Sequence, residues 1–213
     1  MRDKVLNRIK NNKRFILLFI CLAIFIFILI NVLNGNVEKF DTSIYNAISS
    51  LKSNYMTAFF KAITRFADKE TIILIAVTCL IIIKNRRIGA SIGANLLTSA
   101  FVNHLIKEIV QRPRPPIELR MVEESSFSFP SGHAMTGATF YGLIIYFTFK
   151  NVKNKKLRNT ICIILSVLVF LIGISRIYLG VHYASDVLAG FVFAIVYLVL
   201  YITFVLKLFK IEK

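Results

Sequence analysis

Phe129-Pro130-Ser131-Gly132-His133 puts a histidine and two small residues where a polar loop turns into an apolar run. Proline can open a helix at its first position, leaving the serine hydroxyl and the amides of Ser131, Gly132 and His133 pointing outward as donors. Helix N-termini bind anions for that reason, glycine lets a ligand approach the backbone, and histidine exchanges a proton near neutral pH. A phosphate suits such a place, although the same pentapeptide also serves as an ordinary helix start capped by serine. Two further clusters flank it: Lys107 with Arg114-Pro115 before, and Ser175-Arg176 with His182 and Asp186 after. Taken singly, interfacial Lys and Arg snorkel to headgroups, and a lone histidine at a helix end is usually structural. Together the clusters gather three cations, an acid and two of the chain's three histidines.

The elements that must position them are apolar. The 213 residues are 56% hydrophobic with mean hydropathy +0.68, and several runs are long enough to cross a bilayer. The expected fold is all-α: one polytopic membrane domain over 1–213, a bundle of six transmembrane helices at about 15–33, 68–83, 88–106, 132–149, 159–174 and 185–206. The first run is read as a retained helix, since it is longer than a leader's apolar region and no small-residue cleavage site follows it. A net charge of +16 does not indicate nucleic acid, because the charges gather in short tracts between the apolar runs. Lys and Arg divide 17 to 10 between alternate loops, and acids 2 to 9. The positive-inside rule therefore predicts a cytoplasmic-membrane protein with both termini in the cytoplasm and all three clusters at the outer interface. Cys21, Cys79 and Cys162 lie inside apolar runs without metal-like spacing and read as small core residues.

Between the first two spans, Ile44, Ile48, Leu51, Met56, Phe59, Phe60 and Ile63 recur at helical spacing, which predicts one or two amphipathic surface helices. The second span is the weakest, with a continuous apolar run of only about 13 residues. The third carries Ser91, Asn95, Thr98, Ser99, Asn103 and His104, so one face should be buried and hydrogen-bonded, His104 included. Arg112 and Arg120, in the outer loop, read as interfacial charges, with reception of a second phosphate as the alternative.

Lys107, six residues, Arg114-Pro115; then Pro130-Ser131-Gly132-His133; then Ser175-Arg176, five residues, His182, three residues, Asp186 resembles the three-part signature of the type 2 phosphatidic acid phosphatase superfamily. Arg112-Pro113 and Tyr178-Leu179-Gly180-Val181 agree in context, while Ala184 departs from a frequent proline. The resemblance implies a metal-independent lipid phosphatase without cofactor. In it His182 is the nucleophile that forms a phosphohistidine, Asp186 orients the His182 ring, and His133 protonates the leaving group and later accepts a proton from water. Lys107, Arg114 and Arg176 hold the phosphate oxygens, with Ser131 and the Gly132 amide completing the cradle. The bacterial members it resembles act on undecaprenyl diphosphate, phosphatidylglycerophosphate or phosphatidate. The expected partners are a lipid phosphate and the membrane, with no nucleic acid; the sequence does not decide the oligomeric state. The rival readings are a lipid phosphotransferase using the same histidine, and a membrane protein that binds anionic lipid without chemistry.

Overall fold

The computed structural model describes residues 2–211, with side chains from residue 13. Long helices occupy all six predicted apolar runs: α1 (Arg2–Leu33), α4 (Lys69–Ile82), α5 (Arg86–Val110), α6 (Gly132–Asn151), α7 (Lys155–Tyr178) and α8 (Ala184–Leu200). The amphipathic stretch forms two short ones, α2 (Glu38–Ser49) and α3 (Asn54–Thr64). The described residues contain no strand. By length and composition, three segments suit a membrane crossing: Lys13–Leu33, Lys155–Tyr178 and Ala184–Leu208.

α6 is the central helix and packs on α5, α7 and α8, while α1 lies along α8 and α4 along α5. The main core joins Phe140, Leu143 and Phe147 of α6 to Ile92 and Leu96 of α5, Ile72 of α4 and Ile172 of α7. Facing outward, Leu74, Leu97 and Phe101 are well exposed, as suits side chains against lipid.

Several helix ends differ from the sequence reading, and two of the differences move site residues from loop to helix. α5 continues past 106 to Val110, closed by Gln111 in a left-handed conformation, so Lys107 sits in its last turn. α7 runs to Tyr178, which places Ser175 and Arg176 in the helix rather than in a polar connection. Arg176 is 2% exposed there and anchored at both ends of its guanidinium, which tertiary contact and not local propensity dictates. Pro130 is not the first helical residue. Ser131 is the N-cap, its hydroxyl accepting from the Ala134 amide, and the Phe129–Pro130 peptide before it is cis. α8 ends at Leu200 in a π-helical turn, Tyr201–Val205, where the Tyr201 hydroxyl donates to the Ser91 carbonyl at 2.7 Å.

The connection from α7 to α8 turns at Gly180, at φ +70°, and a Cβ there would lie 2.0 Å from the Leu119 carbonyl oxygen. Only glycine fits, and the loop carrying His182 is thereby pressed against the loop after α5. The Met121 amide donates to the Leu179 carbonyl at 2.9 Å across the same seam.

Candidate active site

Every residue of the three clusters lies at one end of the bundle: Lys107 in the last turn of α5, Ser131, Gly132 and His133 at the start of α6, Arg176 in the last turn of α7, His182 just before α8, and Asp186 in its first turn. Alternating helix direction does this, since successive antiparallel helices bring C-terminal turns beside N-terminal ones.

His182 is buried, 2% exposed. It precedes the N-cap Tyr183, so its approach to Asp186 does not come from sharing a helix face, as their spacing suggests. The approach comes from the cap: the Asp186 carboxylate turns back to accept the Tyr183 amide at 2.9 Å. His182 Nδ1 is then 3.5 Å from Asp186 Oδ2. Ser128, absent from the sequence prediction, stands between them, its Oγ 2.5 Å from Asp186 Oδ2 and 3.3 Å from His182 Nδ1. A carboxylate only accepts, so Ser128 donates its one proton to Asp186 and accepts from Nδ1–H. That order fixes the tautomer and leaves Nε2 unprotonated, an acceptor with its lone pair in the ring plane. The Arg114 guanidinium agrees, donating from Nη1 to Nε2 at 3.1 Å. Burial, together with the charges of Arg114, Lys107 and Arg176, pushes the His182 pKa well below the usual histidine value.

Replacing Ser128 with alanine removes the hydroxyl but leaves its carbonyl, which Lys107 holds. A hydrogen bond to a charged group is worth about 1.5–3 kcal/mol, so Ser128→Ala should lower kcat about ten- to a hundredfold. KM should change little, because no phosphate contact is lost; steady-state kinetics on one lipid substrate checks the split.

Around Nε2 the cations are held ready. Lys107, 5% exposed, donates to the carbonyls of Phe127 and Ser128. Arg114 donates to the carbonyls of Ser126 and Val181 at 2.6 and 2.8 Å. Arg176 donates to the Thr64 hydroxyl at 2.7 Å. Arg114 and Arg176 also share one carboxylate, Glu124, which accepts from Arg114 at 3.3 Å and from Arg176. A carboxylate bridging two guanidiniums beside Nε2 occupies the kind of position that two phosphate oxygens take.

The expected donors at the start of α6 are only partly available. The Ser131 amide donates to the Asp186 carbonyl at 3.1 Å, and its fully buried hydroxyl caps the helix. Gly132 packs on α5, where an added Cβ would come within 3.1 Å of Asn103 Oδ1. Asn103 in turn donates to the Pro130 carbonyl at 3.3 Å and steadies the turn. His133 bonds through Nε2 to Asp68 Oδ1 at 3.0 Å.

Arg112 is no free interfacial charge, nor open to a second phosphate. Its guanidinium donates to Asp186 Oδ1 at 2.5 Å, to Ser185 Oγ at 2.8 Å and to Asp41 Oδ2 at 2.8 Å, and it stacks on the Tyr183 ring. Asp41 also accepts the Ser185 amide at 2.8 Å, so α2 is fastened to the base of the site. One signal pointed there: Asp41 stands three and seven residues before Ile44 and Ile48, an acid within the apolar stripe of α2. Arg120 reaches the Pro115 carbonyl through Nε at 2.8 Å. His104 corrects a further expectation, since its side chain is 65% exposed beside Glu108 rather than buried. Among the described residues no cluster of three His, Cys, Asp or Glu has the arrangement to hold a metal.

Among the described residues, helix ends and the loop after α5 bring Lys107, Arg114 and Arg176 together with two aspartate-paired histidines at one end of a helical bundle. Residues 88–210, more than half of the chain, match the PAP2 superfamily, and the chain belongs to it. It is 47% identical over 98 residues to the phosphatidylglycerophosphatase B of Bacillus subtilis (strain 168), an alignment spanning 44% of this chain and 46% of that protein. It is 29% identical over 182 residues to an undecaprenyl-diphosphatase of Sulfolobus acidocaldarius, covering 82% of each. The crystal structure of a transmembrane PAP2-type phosphatidylglycerolphosphate phosphatase from Bacillus subtilis superposes with TM-score 0.80 at 29% identity, over 92% of this chain and 98% of that one. With its apolar helices, this chain is a membrane protein.

Proposed function

We propose that this protein is a six-span membrane phosphatase that hydrolyses a lipid phosphate or diphosphate through a phosphohistidine at His182, at the outer face of the cytoplasmic membrane. The observation that carries the reading is the state of His182. Its Nδ1 is held by Ser128 and Asp186, its Nε2 is left as the unprotonated nitrogen and accepts from Arg114, and the charges of Lys107 and Arg176 act on the same ring. The incoming phosphate displaces Glu124 from Arg114 and Arg176 and draws the Arg114 Nη1–H off His182 onto its own oxygen; Nε2, its lone pair released, attacks phosphorus while the three cations take up the charge on the equatorial oxygens. His133 gives a proton to the departing oxygen, then takes one from the water that cleaves the phosphohistidine.

A lipid substrate is supported by a cavity of about 470 Å³ between α4 and α5, walled by Ile72, Ile73, Leu96 and Leu97 and reaching Gly132 and His133. In-line displacement puts the leaving group opposite the nucleophile. His133 lines this cavity and His182 does not, so the acid and the room for an apolar tail share the leaving-group side. Lipid then arrives sideways from the bilayer.

The test is phosphate release by the purified protein, with EDTA present, on undecaprenyl diphosphate, phosphatidylglycerophosphate and phosphatidate. Release from at least one of them supports the reading, and the rates rank the headgroups. Transfer of label to an added lipid or sugar acceptor without free phosphate would replace hydrolysis by transfer; the absence of both release and transfer would refute the proposed reaction.

A further inference from the structure

Asp68 occupies the N-cap position of α4, where an aspartate ordinarily accepts the amides of its own helix, yet its side chain makes no capping bond. The carboxylate instead leaves its helix and meets His133 Nε2, 65 residues away in sequence, at 3.0 Å. Giving up a local cap for a distant partner is a departure from what the position favours locally, and it needs a compensating role. The pair lies at the polar mouth of the α4 to α5 cavity, which both residues line.

We propose that Asp68 is a positioning residue for the acid and base of the reaction. Its carboxylate accepts from Nε2–H of His133, sets the ring's plane, and assigns Nδ1 as the nitrogen that hands a proton to the leaving oxygen. The inference rests on the reading of His133 as general acid. The proton balance is simple. His133 enters as the imidazolium, Nδ1–H passes to the departing alkoxide as the phosphorus–oxygen bond breaks, and Nε2–H stays on the ring, hydrogen-bonded to Asp68 throughout. Asp68 gains no proton. Its fixed charge stabilises the imidazolium before transfer, and its geometry keeps Nδ1 aimed. The arrangement parallels Asp186 and His182 with the ring nitrogens exchanged: there the carboxylate side takes Nδ1 and frees Nε2, here it takes Nε2 and frees Nδ1.

A leaving group that needs no proton separates this role from a structural one. An alkyl alkoxide must be protonated as it leaves, whereas p-nitrophenolate departs as the anion. For Asp68→Asn, kcat/KM should fall on a short-chain phosphatidate at least about ten times more than on p-nitrophenyl phosphate. The ratio kcat/KM is the quantity to read, because it ends with alcohol release and omits the later water step that both substrates share. Asp68→Ser keeps a side chain able to cap α4 and removes the partner of His133, so it should show the same split while the thermal unfolding temperature holds. Equal losses on both substrates in Asp68→Asn and Asp68→Ser would overturn the proposal. His133→Ala run alongside tells its failure from that of the parent reading: if it too shows no split, His133 is not the acid; if it alone shows one, Asp68 has no part in the acid's work.

Discussion

His182→Ala should abolish turnover, with kcat down by at least about a thousandfold and no phosphorylated protein trapped from labelled substrate. The size follows from what the ring does. Alanine removes the nitrogen proposed to attack phosphorus, and the cations left behind bind phosphate without an atom to accept it. Inorganic phosphate should therefore still bind, since Arg114 keeps its anchors on Ser126 and Val181 and Arg176 keeps Thr64. The state of the nucleophile is checked separately by nitrogen-15 histidine resonances of the free enzyme. With its pKa depressed by burial and by the charges of Arg114, Lys107 and Arg176, His182 should give free-base resonances at pH 6.5, and its nucleophilicity should be lost only as pH falls through that lowered value. A His182 imidazolium at pH 6.5, or full turnover in the alanine variant, would remove it from the nucleophile's role.

How much of this was legible in the sequence depends on the distance over which each feature is determined. The six apolar runs are local in hydropathy, and all six became helices. The three clusters sit where helix direction must bring them, so their meeting at one end follows from counting spans. Helix ends escape the local pattern where a tertiary contact extends them: Arg176 stays helical because Thr64 and Glu124 anchor it, and Lys107 because the 127–128 carbonyls draw it inward. Ser128, Asp68 and Glu124 are not legible in the sequence, because a serine or an acid in a polar loop has no local feature that tells a site from solvent. Asp186 shows the same limit from the other side. Its spacing from His182 suggested a shared helix face, but the pairing arises from a capping bond that only the folded turn at Tyr183 creates.

Arg112→Ala should be the most destabilising single change at the site. The guanidinium is the counter-charge of both Asp186, fully buried, and Asp41, 4% exposed, and it joins α2 to the start of α8. Removing one partner of a buried ion pair costs about 3–5 kcal/mol, because the other charge stays in low dielectric uncompensated. Here two carboxylates lose their cation at once. Ser185 still donates to Asp41, so the damage concentrates at Asp186, where Oδ1 loses its donor and Oδ2 keeps Ser128 and Tyr183. An Asp186 carboxylate free to turn loosens Ser128 and with it the His182 tautomer, and kcat should fall by roughly a hundredfold or more even at temperatures where the fold survives. Arg112→Lys discriminates the causes. An ammonium supplies the charge but not a planar fork reaching two carboxylates at once, so much of the lost stability should return while kcat stays low. Thermal unfolding in detergent and kcat measured on the same preparations test both statements. An alanine variant as stable and active as the wild type would mean that Asp186 is held by its capping bonds alone and that α2 is not coupled to the site.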